Sequence, residues 1–315
     1  MLTLRRGTIS TVVEPSDELA RIEVDGVPCV AYPRVTGPLA VGDEVLVNAQ
    51  ARELGLGSGG FDVLYANLTR GLDLPPKEGA HVMKLPYTPL QHAVPHAEES
   101  EPLAETLGGL PVVCCSLHSQ VAPVCAGIRA GGRRRVAYAQ LAGGALPVSL
   151  SNAVRALKQR GLLETAIAVG PCFDGDVQCV STASALAWAA AAGFDAVVCA
   201  IGPGIAGTGT ELGHGGLAAA EAANAASALG GSPVVAVRIS QADERERHRG
   251  VSHHARAVLR LCLGEVTVAD ERGAVGWEEA CAALPLSYMG RGPAEDPAFF
   301  AAAFAAGRAA GRLAS

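Results

Sequence analysis

Apolar positions along this chain follow two rhythms. Up to about residue 70 they come in short alternating runs: Gly7–Val13, Leu19–Val24, Val27–Tyr32 and Glu44–Val47. Turn-forming residues separate the runs: Pro15-Ser16-Asp17, Asp25-Gly26, Gly37-Pro38 and Gly42-Asp43. Four short strands at close spacing predict a small barrel or a compact sheet. The segment GLGSGGFD, Gly55 to Asp62, then leads into a further strand, Val63–Leu68. It lacks the lysine and the following helix of a phosphate loop, so a bulged hairpin is the better reading.

Residues 71–110 are rich in Pro, His and Glu and read as a connector lying over the surface of the next domain, with a short strand at His81–Leu85. From residue 111 strands and helices alternate. The predicted strands are Pro111–Leu117, Arg135–Leu141, Glu164–Val169, Ala196–Ile201, Pro233–Ile239 and Glu265–Val268. The predicted helices are Leu150–Arg160, Gln178–Ala192, Gly216–Leu229 and Ser252–Leu263. This alternation predicts an α/β fold: an open, mostly parallel sheet with helices on both faces, preceded by a small β-rich N-terminal domain. The expected division is 1–70 (barrel-like), 71–110 (connector) and 111–315 (α/β, including a helical tail). In that tail, Asp296-Pro297 marks a helix start, and Phe299, Phe300 and Phe304 are expected to dock on the body or on a second subunit, as in a homo-oligomer.

Composition narrows the function. Hydrophobic residues make up 49% and charged residues 18%, which fits a globular chain. A net charge of −6 argues against an extended nucleic-acid surface. Arg5, Arg6 and Gly7 interrupt any signal-peptide core, and the most apolar stretch, Ala183 to Phe194, is too short to span a bilayer. Nine scattered cysteines without a CxxC pattern suit reduced thiols in a cytoplasmic protein and predict no cysteine-bound metal.

The richest stretch for chemistry is DAVVCAIGPGIAGTGT, Asp195 to Thr210. A buried-strand run ends in a loop containing Gly202, Gly204, Gly207, Thr208, Gly209 and Thr210, where N–H and O–H donors suit an anion. A plain structural turn is the alternative. The GxGxxG spacing is present, but no helix opens within it and no carboxylate ends the next strand, which stops at Arg238, Ile239 and Ser240. A dinucleotide is therefore disfavoured. Other unusual residues also follow predicted strands: His118-Ser119-Gln120, Asp174-Gly175-Asp176, and Ser252-His253-His254. Ser252 suits an N-cap, which puts both histidines at the positive end of a helix, where neutral imidazole is favoured. Ser119 lies outside any nucleophile motif, so no Ser–His pair is expected. Asp174 and Asp176 suit a cation or sugar hydroxyls, or else an Asx-turn. The run Asp243 to Arg249 reads as a solvated short helix, with anion binding by its arginines as the alternative.

The segments MKLPYTPLQ, SLHSQ, GPGIAGTGT, ERHRGVSHH and MGRGPAEDPAFF, spread over nearly the whole chain, resemble those of a bacterial family classed as a domain of unknown function. The resemblance implies no activity. From the residues themselves, the expectation is a cytoplasmic enzyme acting on a small anionic or phosphorylated molecule at the carboxyl edge of the sheet. His118, His253, His254, Asp174 and Asp176 are its candidate catalytic groups. Gln120, Arg238 and the 202–210 loop are its candidate ligand-binding groups. No metal site and no particular cofactor is expected, nor nucleic acid or membrane as partner. The alternative is a non-catalytic ligand sensor or assembly module that uses the β domain for interaction.

Overall fold

The computed structural model describes residues 2–55, 59–269 and 271–313, and the chain divides into two compact units, Met1–Ala93 and Val94–Ser315. In the first unit, β1 (Leu4–Glu14), β2 (Ala20–Val24), β3 (Val27–Ala31), β4 (Glu44–Asn48) and β5 (Asp62–Asn67) form a closed barrel in the order β1-β2-β3-β5-β4. Period-2 burial drives it: Ala20, Ile22 and Val24 point inward, alongside Ile9, Val45, Val47 and Leu64. Asp25 and Gly26 both take positive φ, 51° and 76°, which matches the twist of a two-residue hairpin turn between β2 and β3. Closure comes from the parallel β3–β5 pairing and leaves no open edge. Residues 56–58 of the expected bulged hairpin lie outside the described residues. Two short strands, β6 (Val82–Lys84) and β7 (His92–Val94), pair with each other.

The second unit is built on a seven-stranded sheet. Its strands are β8 (Pro111–Cys115), β9 (Val136–Leu141), β10 (Thr165–Val169), β11 (Val177–Cys179), β12 (Ala196–Ile201), β13 (Ser232–Ala236) and, after β14 (Ile239–Ser240) and β15 (Gly250–Val251), β16 (Thr267–Val268). The order is β11-β10-β9-β12-β8-β13-β16, and every pairing in it is parallel. Each residue of β8, β9 and β12 is buried, as their unbroken apolar runs require of strands covered on both faces.

Helices α1 (Val121–Ala130), α2 (Asn152–Gln159) and α7 (Pro297–Arg312) cover one face, and α3 (Thr182–Ala191), α4 (Ala218–Ala228) and α5 (His253–Leu261) the other. A further short helix, α6 (Trp277–Cys281), packs beside α1 and α7. Serine hydroxyls start three of them: Ser151, Ser181 and Ser252 cap α2, α3 and α5. Small residues set the spacing between α1 and α7. A Cβ at Gly127 would collide with the Phe304 carbonyl, and one at Gly307 with that of Val124. Phe299, Phe300 and Phe304 are at most 1% exposed, so the C-terminal helix docks on its own chain's body.

Two expectations need correction. The helix predicted over Gln178–Ala192 begins only at Thr182, because Val177 to Cys179 pair with β10 and Ser181 then caps the helix. The aspartates after β10 also differ. The chain doubles back beside β10, so Asp176 reaches its amino end, accepting from Ala166 N at 2.7 Å and pairing with Lys158 Nζ at 2.6 Å. Asp176 therefore sits away from the carboxyl edge where it was expected.

Strand order also locates a crevice. The connection from β9 leads outward to β10, while that from its neighbour β12 leads the other way, past β8 to β13. Adjacent strands whose connections diverge open a crevice at their carboxyl ends. No helix among the described residues is long and apolar enough to cross a membrane.

Candidate functional site

Two side-chain clusters occupy the carboxyl edge of the sheet. The first surrounds His118, which follows β8 and reaches the end of β12, beside that crevice. Its Nδ1 lies 3.2 Å from the Ile201 carbonyl, so this nitrogen carries the proton and donates it. Nε2 is then an acceptor, and the Ser151 hydroxyl donates to it at 2.6 Å. Burial pushes His118 down to about 4, against the support of the Ile201 carbonyl, and keeps it neutral at pH 7. Ser151, 33 residues from His118 in sequence, lies outside the sequence reading, which weighs only Ser119 as a partner. Gln120 is wholly buried. Its Nε2 donates to the Ala236 carbonyl at 2.7 Å and its Oε1 accepts from Leu117 N at 3.0 Å, so it ties the end of β8 to β13.

The second cluster lies beyond β12 and β13. There the rings of His214 and His254 stack at 3.7 Å between centroids, and those of His254 and His253 at 4.1 Å. His248 stands 5.0 Å from both His253 and His254. Ser252 organises the group: its hydroxyl caps α5 at His254 N and contacts His248 Nδ1 at 2.7 Å. His254 Nε2 is 3.1 Å from the Thr210 carbonyl. The remaining nitrogens are poorly served. Neither ring nitrogen of His214 and not Nε2 of His253 makes a hydrogen bond. The Glu211 backbone lies near enough to favour a protonated His214, but outside hydrogen-bond geometry.

All four imidazoles are held below the usual histidine range. Burial is the largest cause for each. After it come Arg238 and Arg245 for His248, pushed to about 3; His214 and His253 for His254, pushed to about 4; and Arg247 for His253. The result is a nest of neutral imidazoles in a positively charged setting, able to accept protons or donate lone pairs.

Arg238 is 5% exposed and committed internally. It donates to Tyr288 Oη at 2.8 Å and to Asp243 Oδ2 at 3.2 Å. Asp243, 2% exposed, also takes two hydrogen bonds from the Arg245 side chain. Burial alone would raise its carboxyl, but those hydrogen bonds and the charges of Arg245 and Arg238 hold it well below the usual carboxylate range. The run from Asp243 to Arg249 is thus a folded knot and not a solvated helix. Only Glu246–His248 form a short 3-10 turn, and His248 is 1% exposed.

Glycines of the 202–210 loop serve the chain's own packing. A Cβ at Gly202 would strike the Ala145 carbonyl, and one at Gly144 the Gly202 carbonyl. Gly204 takes positive φ, 70°, whereas Gly207 does not and forms an antiparallel bridge with His214. Thr208 Oγ1 donates to Gly213 O at 3.0 Å and lies 2.8 Å from Thr210 Oγ1. Gly209 lies under the guanidinium of Arg247, 3.7 Å from where its Cβ would stand. The loop thereby closes against itself and delivers His214 and the Thr210 carbonyl to the histidine cluster.

Of the residues predicted for the site, the structure brings together His253, His254, Thr210 and, through its charge, Arg238. His118 heads the separate first cluster, and Asp174 and Asp176 lie beside β10. His214, His248, Ser151 and Asp243 were missed as site members. His248 was legible as the third histidine of HRGVSHH, five and six residues before the pair; His214, inside GHG, carried no comparable signal. The thiols offer no alternative centre, since burial pushes Cys125, Cys199 and Cys281 up to about 12. An open groove lined by Asn152, Arg155 and Pro285 runs along α2.

Fold and site together define an α/β protein with parallel strands, a separate β-barrel unit and a buried histidine cluster at the sheet's carboxyl edge. Residues 28–279 match the family described as "Protein of unknown function (DUF3866)", and the chain belongs to that family. No curated protein matches it.

Proposed function

We propose that this protein is a cytoplasmic enzyme acting on a small anionic molecule bound beyond the carboxyl ends of β12 and β13. The observation that carries the reading is the convergence of four neutral histidines under the field of Arg238, Arg247 and Arg256. Neutral imidazoles take protons at pH 7, and cationic surroundings draw an anion and stabilise negative charge that develops on it. Arg247 and Arg256 are exposed and form the approach, while Arg238 is fixed by Asp243. The nine free thiols are consistent with a reducing compartment.

The test is mass spectrometry of small molecules released from the denatured pure protein, followed by incubation of the protein with a metabolite extract. An anion is expected to co-purify, to be lost from Arg247→Ala/Arg256→Ala, and to be converted by the wild type but not by His254→Gln. Retention without conversion would make the protein a ligand sensor, and absence of both would end the reading.

A further inference from the structure

We infer that His248, His253 and His254 form a three-imidazole site for a divalent transition metal ion, zinc above all, with its remaining position open. One nitrogen from each of the three lies within 4.8 Å of the other two. Tetrahedral zinc with Zn–N bonds of about 2.0–2.1 Å needs its ligand nitrogens roughly 3.3 Å apart. The ligand nitrogens thus need to close by at most about 1.5 Å, which side-chain rotations supply. His253 and His254 are neighbours on a helix and so diverge by about 100° in ideal geometry. Here, however, they sit in the first turn of α5, their rings are tilted only 25° from parallel, and His248 approaches from a different segment.

The hydrogen bonds already made are those of metal-binding histidines. His254 Nε2 faces the Thr210 carbonyl, which accepts its proton and leaves Nδ1 with the lone pair. His248 Nδ1 lies 2.7 Å from the Ser252 hydroxyl, which can accept its proton and so free Nε2 for the metal. An imidazole that binds a metal through one nitrogen ordinarily gives its other N–H to such a carbonyl or hydroxyl. A second observation points the same way. His214 is 7% exposed, stacks on His254, and has both nitrogens unsatisfied, while His253 Nε2 is buried and unsatisfied as well. Buried polar atoms normally find partners. A bound ion and its water supply them here.

An all-imidazole donor set favours zinc, copper, nickel or cobalt over magnesium or calcium, which take oxygen ligands. Three protein ligands with one open position is the arrangement of a catalytic rather than a structural zinc site. The arginines oppose a bare cation. They favour one that carries a hydroxide or a substrate anion, so Arg247 and Arg256 complete the site with the ligand instead of with a fourth side chain. This inference places a metal within the site proposed above and shares its location. Its test reads binding alone, so the two can fail separately.

Full-length protein is stripped with chelator and titrated with Zn2+ and, as a coloured reporter, Co2+. Bound metal is quantified by elemental analysis. We expect one ion per chain and a cobalt spectrum of low-coordinate nitrogen ligation. His248→Gln, His253→Gln and His254→Gln should each abolish stoichiometric binding. Ser252→Ala should weaken it about 10–100-fold, the usual effect of losing a residue that orients a ligand. His81→Gln, in the other unit, should leave it unchanged. Circular dichroism confirms that each variant is folded, and His214→Gln, which keeps all three ligands, should still bind one ion. No stoichiometric binding by the wild type, or binding that survives substitution of all three histidines, overturns the inference. Metal binding without any retained anion supports the inference while counting against the enzyme reading.

Discussion

His118 Nε2 and Ser151 Oγ lie 2.6 Å apart and join the turn before α1 to the N-cap of α2, and the same serine oxygen accepts the Val154 N–H at 3.0 Å. One hydroxyl thus caps a helix and satisfies a histidine whose other nitrogen is held by the Ile201 carbonyl. Ser151→Ala removes both services. Its expected cost is about 1–2 kcal/mol, at the upper end for an N-cap. Ser149→Ala is the control. The Ser149 hydroxyl is buried without a partner, so its loss should change stability by less than about 0.5 kcal/mol. Urea denaturation of both variants decides; equal effects would mean the His118 contact contributes nothing.

Asp243 anchors the arginines beneath the histidine cluster. Arg238 and Arg245 both donate to it, and Arg291 stands 3.6 Å away. Asp243→Asn leaves the buried Arg238 guanidinium without its counter-charge, at an expected cost of about 3–5 kcal/mol. Arg245→Ala should cost less than about 1 kcal/mol, because Arg245 is 38% exposed and water replaces its partner. Thermal and urea unfolding of the two variants give the comparison, and a larger loss for Arg245→Ala would refute this assignment of the central charge.

Sequence pattern carried the barrel and the parallel sheet because both rest on local periodicity. The alternation in β2 and the unbroken runs of β8 and β12 state their burial directly. The site was less legible for a physical reason: it is made by pairing across long separations. Nothing near His118 announces Ser151, and nothing near His254 announces His214, 40 residues earlier in the chain. The acidic residues misled in the other direction. Asp176 follows β10 in sequence, but a tight return carries it to the strand's opposite end. Position after a strand predicts the carboxyl edge only while the chain has not yet turned back.

Loop 202–210 offers a contrast between two glycines. Gly202→Ala drives a methyl group into the Ala145 carbonyl, where backbone must move, and is expected to cost about 1–3 kcal/mol. Gly207→Ala is tight only against His214 Cβ, at 3.2 Å, in an exposed stretch without positive φ, and should cost less than about 1 kcal/mol. Its effect should appear instead at the histidines, as altered His214 ring shifts in NMR spectra. The reverse order of stabilities would show that the tight spot lies at the bridge with His214 and not at the packing of Gly202 on residue 145.

Acid should unfold the second unit earlier than its carboxylates alone would dictate. His118 and His254 are pushed down to about 4 and His248 to about 3, against roughly 6.5 in an unfolded chain. Between those values the unfolded chain binds protons that the folded one refuses, so stability rises with pH across that window. It is complete above about 6.5 and is lost as pH falls toward 4 and then 3. Each such proton contributes up to about 1.4 kcal/mol per pH unit. Groups facing the cluster push the same way or the opposite way: Arg238, Arg245, Arg247 and Arg256 hold the histidines neutral, whereas Glu211 and Asp243 favour their protonation. Asp243 itself stays ionised throughout, since its carboxyl lies below this window. The measurement is urea unfolding from pH 7.5 to 4.5 in chelator, with ring-proton NMR to assign the titrating residues. The expected results are a steep fall in stability below pH 6.5 and no protonation of His118 or His254 above pH 5. Histidines that titrate near 6.5 in the folded protein would show that water reaches the cluster and that burial does not govern its charge.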